Sequence, residues 1–422
     1  MQYLANDYIE ILRTPKGKQI FAFTPAICVL DNGRYLFTGD LGGKELLNVD
    51  EFRALPPSPA GSRSYGHIYT SDDKGLTWQR RAVRNFGFAR AFQAGKYVYV
   101  LGGAGDLVIY RSDDNGDTWD EGHWLSSGET WHQSACGFWI EDGYITLVME
   151  EQIVHPGEFT TVWRVANLAP VVLRAKLTDD LTRRESWTFS NRIRFRDLID
   201  DDALDYFGIP FYTPERHRDA YTDGRTFTQL PGWLEANVVR ITDPNHYWYD
   251  PDGKTYHILM RAHTAGSGYC CLMKAVLEGD VIVVQPQCNP SGRKVIFLPM
   301  PGGQMRFHLL WDDKTQLFWL LSTQATDSMT RIDRLPAGRY NIPCDERDRL
   351  QLSFSRNLVD WCFAGMVARG DNCKQARHYA SMAIDGDDLV IVSRSGDEDA
   401  FSAHNTNMAT FHRIKDFRSL VY

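Results

Sequence analysis

The sequence predicts an all-β protein, a six-bladed β-propeller of four-stranded blades that forms a single domain over residues 1–422. Three observations predict this fold. A motif ending in tryptophan occurs twice, six polar turns each separate two apolar segments, and aromatic residues make up 13% of the chain. Aromatic and β-branched side chains pack well on pleated sheets. Short strands in regular repeats, with an aromatic motif in the hairpins, are typical of propellers.

The duplicated motif lies at residues 69–78, YTSDDKGLTW, and at residues 110–119, YRSDDNGDTW. Both copies read S-x-D-x-G-x-T-W. An aspartate and a glycine at this spacing favour a tight turn, after which the tryptophan returns toward the core at the start of the next strand. Looser copies end at Trp187 and Trp361. The motif therefore predicts four related outer hairpins.

A second pattern, of an apolar strand, a polar turn and another apolar strand, occurs six times. Its spacing gives roughly 70 residues for each four-stranded unit. We expect the ring to close by pairing of residues 8–12 with residues 408–414 in the last blade. The six predicted inner turns are at residues 31–33, 94–96, 141–143, 250–253, 312–315 and 385–387.

Residues 194–234 fit neither repeat and carry many charged residues and tyrosines. Loops of this length are usually functional or disordered. We therefore expect an insertion between blades 3 and 4 that lies near the mouth of an active site.

Composition excludes several classes of partner. The chain has 46 Lys and Arg against 54 Asp and Glu, a net charge of −8, which disfavours nucleic acid. No apolar run approaches the roughly 20 residues that cross a bilayer, so no membrane partner is predicted.

The first 14 residues lack a continuous apolar segment, so they are not a secretory signal. We expect a cytoplasmic protein, or one whose leader has been removed.

Ionisable residues occur where a propeller would bring them together. In this fold the inner strands start at one face of the central channel, and the next strands return to that face. At these positions we predict the catalytic residues His132, Glu150, Asp327, His308 and Tyr379. The predicted substrate-binding residues are Arg90, Glu235, Arg306, Arg377, His378 and His263.

These residue types suit the cleavage of an acidic glycan. Several arginines near one axis would need an anion, and a sugar carboxylate or sulfate could supply it. A carboxylate such as Asp40, Glu150 or Asp327 could act as a general acid, with His or Tyr as base or nucleophile. The predicted partner is therefore an acidic oligosaccharide or polysaccharide. The predicted function is cleavage of a glycosidic bond next to an acidic sugar.

The two motif copies, together with Thr24-Pro25-Ala26-Ile27 near the start, resemble the sialidase superfamily of six-bladed propellers. They resemble most closely the bacterial sialidase-like proteins with Asp boxes, also called BNR repeats. The resemblance in blade rhythm covers most of the chain and implies a glycoside hydrolase. Among the site residues it implies Arg306 and Arg377 as carboxylate-binding arginines, and Tyr340 or Tyr379 as the nucleophile.

The chain departs from the sialidase pattern at two points. Sialidases open the first blade with Arg-Ile-Pro, whose arginine binds the sialate carboxylate, whereas this chain has Phe23-Thr24-Pro25. The acidic residue that precedes their first Asp box would fall near Ser64. These departures favour a sialidase-like hydrolase over a true sialidase.

Two alternatives remain open. The segment that begins Trp131-His132 resembles propeller polysaccharide lyases, in which Arg neutralises a uronate carboxylate and His or Tyr removes the adjacent proton. Glu150 and Glu151 stand where such lyases would have a second histidine. The other alternative is a non-catalytic propeller that binds a glycan or a protein.

The sequence predicts neither a cofactor nor a metal site. His263, Cys270, Cys271 and His308 are suitable zinc ligands, but no compact spacing relates them.

Overall fold

The computed structural model describes residues 2–132, 137–156, 165–199, 232–262, 268–327, 330, 334 and 346–422. Most of the expected insertion, together with His263 and Tyr340, lies outside the described residues. None of the described helices is long and apolar enough to span a membrane.

The regular secondary structure of the described residues is almost entirely β-strand. The helices α1 Asp50–Ala54 and α2 Phe195–Leu198 are single turns, and short 3-10 turns cover Lys44–Asn48, Val165–Asn167, Arg184–Ser186 and Phe417–Leu420. The strands of the first half are β1 Ile9–Arg13, β2 Phe21–Ala22, β3 Ala26–Val29, β4 Tyr35–Gly42, β5 Tyr65–Ser71, β6 Gln79–Arg84, β7 Gly87–Ala94, β8 Tyr97–Ala104, β9 Asp106–Ser112, β10 His123–Trp124, β11 Trp131–His132, β12 Phe138–Glu141, β13 Tyr144–Gln152, β14 Leu168–Lys176 and β15 Trp187–Phe189. Those of the second half are β16 Trp233–Val239, β17 Thr255–Ala262, β18 Tyr269–Glu278, β19 Val281–Gln285, β20 Gln287–Cys288, β21 Lys294–Val295, β22 Phe297–Pro299, β23 His308–Asp312, β24 Leu317–Thr323, β25 Arg349–Ser355, β26 Cys362–Arg369, β27 Arg377–Asp385, β28 Asp388–Ser395 and β29 Met408–Ile414.

Six antiparallel sheets form the blades, which confirms the predicted fold. Blade 1 contains β2 to β6, blade 2 contains β7 to β10, and blade 3 contains β11 to β15. Blade 4 is built on β16 to β19, blade 5 is β23 to β26, and blade 6 is β27, β28, β29 and β1. The innermost strand of blade 1 is split into β2 and β3, and that of blade 3 into β11 and β12.

The predicted turns lie where the pattern placed them. Each of the six inner turns joins the first and second strands of its blade, and the four tryptophan-bearing turns join the third and fourth strands. The ring also closes as expected, because β1 pairs with β29 and Ile9 lies opposite Phe411.

The two copies of the duplicated motif form the same turn. In the first, the Gly75 N–H donates to Ser71 Oγ over 2.9 Å, the Thr77 N–H donates to Asp73 over 2.9 Å, and Trp78 Nε1 donates to the Gly75 carbonyl over 3.1 Å. Gly75 has a φ of 90°, a conformation that side chains disfavour. The second copy repeats these bonds among Ser112, Asp114, Gly116, Thr118 and Trp119.

The hydrophobic core lies between neighbouring blades. Six clusters of buried apolar side chains each join two adjacent blades, as where Tyr35 and Phe37 of blade 1 pack with Val390 and Phe411 of blade 6. The apolar side chains are used in the contacts between sheets. Polar side chains therefore line one end of the central channel. This arrangement positions the candidate site.

Candidate functional site

The face at which the innermost strands begin is called the start face, and the opposite face, which carries the inner turns, is called the turn face. The second strand of each blade ends at the start face, so side chains from two places per blade converge there. The ends of β4, β13, β17 and β28 contribute Asp40, Glu150, Arg261 and Arg394. The starts of the innermost strands contribute Phe88, His132, Glu235 and Tyr379.

Three alternate blades share one distortion at the start face. Phe88, Glu235 and Tyr379 have φ angles of 54°, 61° and 48°, which are uncommon for residues other than glycine. At each of them the register with the second strand shifts. Such bulges redirect a side chain and are frequent beside active sites, where strained backbone also concentrates. The recurrence marks this region as the candidate site.

A hydrogen-bonded group of three side chains joins blades 4 and 6. The Tyr379 hydroxyl donates to Glu235 Oε1 over 2.6 Å, and Arg261 Nη1 donates to the Tyr379 oxygen over 2.8 Å. Arg261 Nη1 also lies 3.3 Å from both Glu235 oxygens. Glu235 is only 1% exposed, so this ion pair is buried. We call this group the tyrosine triad.

The electrostatics of the tyrosine triad favour an ionised Glu235 beside a neutral phenol. Burial alone would raise the pKa of Glu235, but the Arg261 guanidinium, followed by His132, holds it below its ordinary value. Burial, and then the Glu235 carboxylate, raise the pKa of the Tyr379 phenol to about 12. These shifts keep the proton on the phenol at rest, and the hydrogen bond between the two groups gives that proton a path to the carboxylate when the phenol oxygen reacts.

A hydrogen-bonded pair from blade 3, His132 and Glu150, holds the backbone beside the tyrosine triad. His132 Nδ1 lies 3.0 Å from Glu150 Oε2, and the ring of Phe88 packs on the imidazole with centroids 4.5 Å apart. The Ala236 N–H donates to Glu150 Oε1 over 2.9 Å. Because Ala236 follows Glu235, the buried Glu150 carboxylate fixes the bulge that holds Glu235.

Asp40 is the carboxyl group of the site that is suited to hold a proton. It accepts a hydrogen bond from the Thr24 hydroxyl and one from the Phe88 backbone N–H. Burial raises the pKa of Asp40 from 3.8 to about 7, although Phe88 and Arg394 act in the opposite direction. Asp40 is therefore protonated in a large fraction of molecules at neutral pH.

Two more buried arginines surround Tyr379. The Arg394 guanidinium lies 5.1 Å from the centre of the Tyr379 ring, and that of Arg347 lies 5.7 Å from it. Burial, and then repulsion by Arg347, lower the pKa of Arg394 to about 9. Together with Arg261, these side chains concentrate positive charge beside the phenol.

The three predicted arginines that the structure describes bind backbone carbonyls around the site. Arg90 donates to the carbonyls of Gly137 and Val148, over 3.1 and 3.0 Å, and so ties blade 2 to blade 3. Arg306 donates to the backbone carbonyls of Tyr379 and Ala380 in blade 6. Arg377 donates to the carbonyls of Ala376 and Gly396. In this structure the three guanidinium groups brace the backbone near the site.

His308, His378 and Asp327 lie in three different surroundings. Burial, and then Arg306, lower the pKa of His308 to about 3, and its Nδ1 accepts a bond from the Met382 N–H over 3.0 Å. His308 lines a cavity of about 660 Å³ on the axis toward the turn face. His378 is buried beside Arg347, with 3.3 Å between its Nδ1 and Arg347 Nη1. The Asp327 N–H lies 3.3 Å from a Glu346 oxygen beyond β24.

The structure thus brings together His132, Glu150, Glu235 and Tyr379 of the predicted set. The sequence reasoning missed Arg261 and Arg347 and did not select Asp40 and Arg394 as site residues. Arg261 shares the blade position of Asp40, Glu150 and Arg394, at the end of a second strand, and this equivalence was a usable signal. Among the described residues, no cluster of three or more His, Cys, Asp or Glu side chains could hold a metal ion.

No protein-family model matches the chain, and no curated protein matches it in sequence. Solved structures do match in fold. A Trypanosoma rangeli sialidase superposes with a TM-score of 0.54 at 13% identity, over 98% of this chain and 60% of its own. A Hadza microbial sialidase gives 0.51 at 14% identity, over 94% of this chain and 66% of its own. The chain thus spans less than two thirds of either sialidase.

A Penicillium chrysogenum α-L-arabinanase, solved with arabinobiose, gives a TM-score of 0.50 at 14% identity. Here the match covers 97% of this chain and 98% of the arabinanase. At these identities the likeness concerns the fold. The chain therefore shares its overall architecture, a six-bladed β-propeller, with sialidases and an arabinanase.

Proposed function

We propose that the protein is a glycoside hydrolase that cleaves the glycosidic bond of an acidic sugar at the start face. The observation that carries this proposal is the tyrosine triad, in which a buried phenol donates to an ionised carboxylate. The protonated carboxyl of Asp40 lies on the same face. A nucleophile paired with a base, and an acid whose pKa lies near the working pH, are the groups that glycoside hydrolysis needs.

In the first step the Tyr379 oxygen attacks the anomeric carbon while its proton passes to Glu235. The bond from that carbon to the leaving oxygen breaks, and Asp40 gives its proton to the leaving oxygen. In the second step the Asp40 carboxylate takes a proton from water, whose oxygen attacks the anomeric carbon and displaces Tyr379. The phenol then recovers its proton from Glu235. Two displacements at one carbon retain its configuration.

The charge around Tyr379 supports an acidic sugar. Arg347 and Arg394 are both buried, and their mutual repulsion, which contributes to the lowered pKa of Arg394, is unfavourable away from water. A ligand carboxylate would relieve that repulsion and accept paired hydrogen bonds from planar guanidinium groups. A saccharide ligand also agrees with the arabinobiose in the arabinanase structure and with a Trypanosoma rangeli sialidase solved with 2,3-difluorosialic acid.

The test is hydrolysis of aryl glycosides of sialic acid, glucuronic acid and galacturonic acid, compared with an aryl arabinofuranoside. We expect turnover of an acidic substrate and a loss of at least about 100-fold in kcat for Tyr379→Phe, because the nucleophile is removed. Tyr97→Phe removes a hydroxyl on the turn face and serves as the matched control. Arg347→Ala should raise KM for the acidic substrate, with its thermal midpoint measured to show that it folds.

Other outcomes would contradict the proposal. Turnover of the arabinofuranoside alone would refute the acidic specificity. An ultraviolet-absorbing unsaturated uronate released from a uronate polymer would identify a lyase. Binding of these glycans with no cleavage of any would favour a non-catalytic binding propeller.

A further inference from the structure

We infer that the exposed ring of Phe401, which packs on the buried ring of Phe21, forms a second sugar-binding position at the rim of the start face, and we call this position the rim platform. This inference rests on the proposed function. Tyr379 marks the place of the reacting sugar, and the rim platform would hold a further sugar unit of an oligosaccharide by contact with the C–H face of its ring. It would therefore set a preference for oligosaccharides over single sugars.

A series of side-chain contacts, which passes through the buried Arg394, leads from the rim to Tyr379. The rings of Phe401 and Phe21 have centroids 5.5 Å apart, and those of Phe21 and Phe23 are 6.5 Å apart. The Arg394 guanidinium lies 4.3 Å from the Phe23 ring and 5.1 Å from the Tyr379 ring. The platform and the tyrosine triad are thus linked by packed side chains.

Phe401 is exposed although its loop is firmly held. The side chain is 61% exposed, and it lies in the loop that joins β28 to β29 at the start face. Asn407 Nδ2 donates to Asp397 over 2.7 Å across this loop, and Arg13 Nη1 donates to Asp397 over 2.6 Å from β1. The Thr406 hydroxyl donates to the Ala22 carbonyl over 3.0 Å, which joins the loop to β2.

A braced loop that presents an aromatic ring to water differs from an apolar side chain exposed by chance. Single exposed apolar residues are common and need no explanation. Here the exposed ring packs on an aromatic pair, Phe21 and Phe23, that is linked to Tyr379 through Arg394. Hydrogen bonds already fix this loop, so it would lose little conformational entropy when a ligand binds. Most of the free energy of contact between the ring and the ligand would therefore contribute to affinity. Aromatic rings provide large contact area with few rotatable bonds.

The experiment measures binding, by calorimetry, in the Tyr379→Phe background so that turnover does not interfere. The probes are sialyllactose, trigalacturonate and arabinotriose, each compared with its terminal monosaccharide. For the trisaccharide that binds most tightly, we expect Phe401→Ala to weaken binding about tenfold and Phe401→Trp to restore it. Binding of the monosaccharide should not change. Leu76→Ala, which truncates a side chain that is 67% exposed on the turn face, is the matched control.

The result that overturns the inference is equal trisaccharide affinity with and without the Phe401 ring, or no binding of any trisaccharide. Equal weakening of the trisaccharide and its monosaccharide would also overturn it, because that loss would come from the reacting position. The readout does not depend on catalysis. If no variant cleaves any glycoside but Phe401→Ala still weakens trisaccharide binding selectively, the rim platform stands and the proposed hydrolysis does not.

Discussion

Replacing Asp40 by asparagine tests the electrostatics of the site through stability. Burial raises the pKa of Asp40 from 3.8 to about 7 in the folded chain, so between these pH values the folded state holds a proton that the unfolded state has released. The protonated Asp40 makes its full contribution to the free energy of unfolding below about pH 4. That contribution is lost as the pH rises from about 4 through 7. The amide introduced by Asp40→Asn cannot ionise, so that variant would lack this dependence.

The size of the effect follows from the shift in the pKa. Between pH 5 and pH 8 the ionisation of Asp40 lowers the free energy of unfolding by about 3 kcal/mol, since each unit of pKa difference corresponds to about 1.4 kcal/mol. Divided by the unfolding entropy expected for a chain of this length, that loss lowers the thermal midpoint by about 3 °C. The midpoint of the native chain should therefore fall about 3 °C further than that of Asp40→Asn over this range.

The assay is a thermal melt of both proteins at pH 5 and pH 8, with Asp179→Asn as the control. Asp179 is exposed, so its replacement should leave the pH dependence of the midpoint unchanged. An identical pH dependence in the native chain and in Asp40→Asn would refute the argument, because it would mean that Asp40 ionises in the folded state as it does in water.

Three further predictions concern side chains around the site and in the turns. Glu150→Ala removes the hydrogen-bond partner of His132 and of the Ala236 N–H, so it should lower the free energy of unfolding by about 1–3 kcal/mol. Glu150→Gln keeps an acceptor and should lower it by less, and denaturant melts of both variants measure the difference. Arg90→Met removes the bonds to the Gly137 and Val148 carbonyls and should destabilise the fold by a similar amount of about 1–3 kcal/mol, with KM unchanged; a raised KM would show that Arg90 contacts substrate. Asp114→Ala removes the acceptor that holds the second tryptophan-bearing turn and should lower the thermal midpoint while leaving kcat unchanged, which a melt and a rate assay check together.

The sequence could predict the blades because their signals are local. A turn such as Asp385-Gly386 is specified by the two residues that form it, and Gly386 indeed has a φ of 65°. The start-face positions also followed from the repeat, since any residue at the beginning of an innermost strand must lie near the axis. His132, Glu235 and Tyr379 were found in this way.

The partners of individual side chains could not be predicted from local signals. In sequence, a buried arginine that braces backbone carbonyls, such as Arg306, looks the same as one whose guanidinium lies beside the Tyr379 ring, such as Arg394. The bulges were equally hidden, because Phe88, Glu235 and Tyr379 are not residue types that favour a positive φ. Their conformation is imposed by neighbouring blades, and therefore by parts of the chain far apart in order.

The closure of the ring has a consequence for how the protein is made. The sixth sheet takes β1 from the beginning of the chain and β27 to β29 from its end. During synthesis on the ribosome, β1 must wait for β29 before it is paired. Partial chains that lack β29 will therefore expose an open sheet edge, which is prone to aggregation. Survival of the nascent chain should depend on chaperones until β29 has been made.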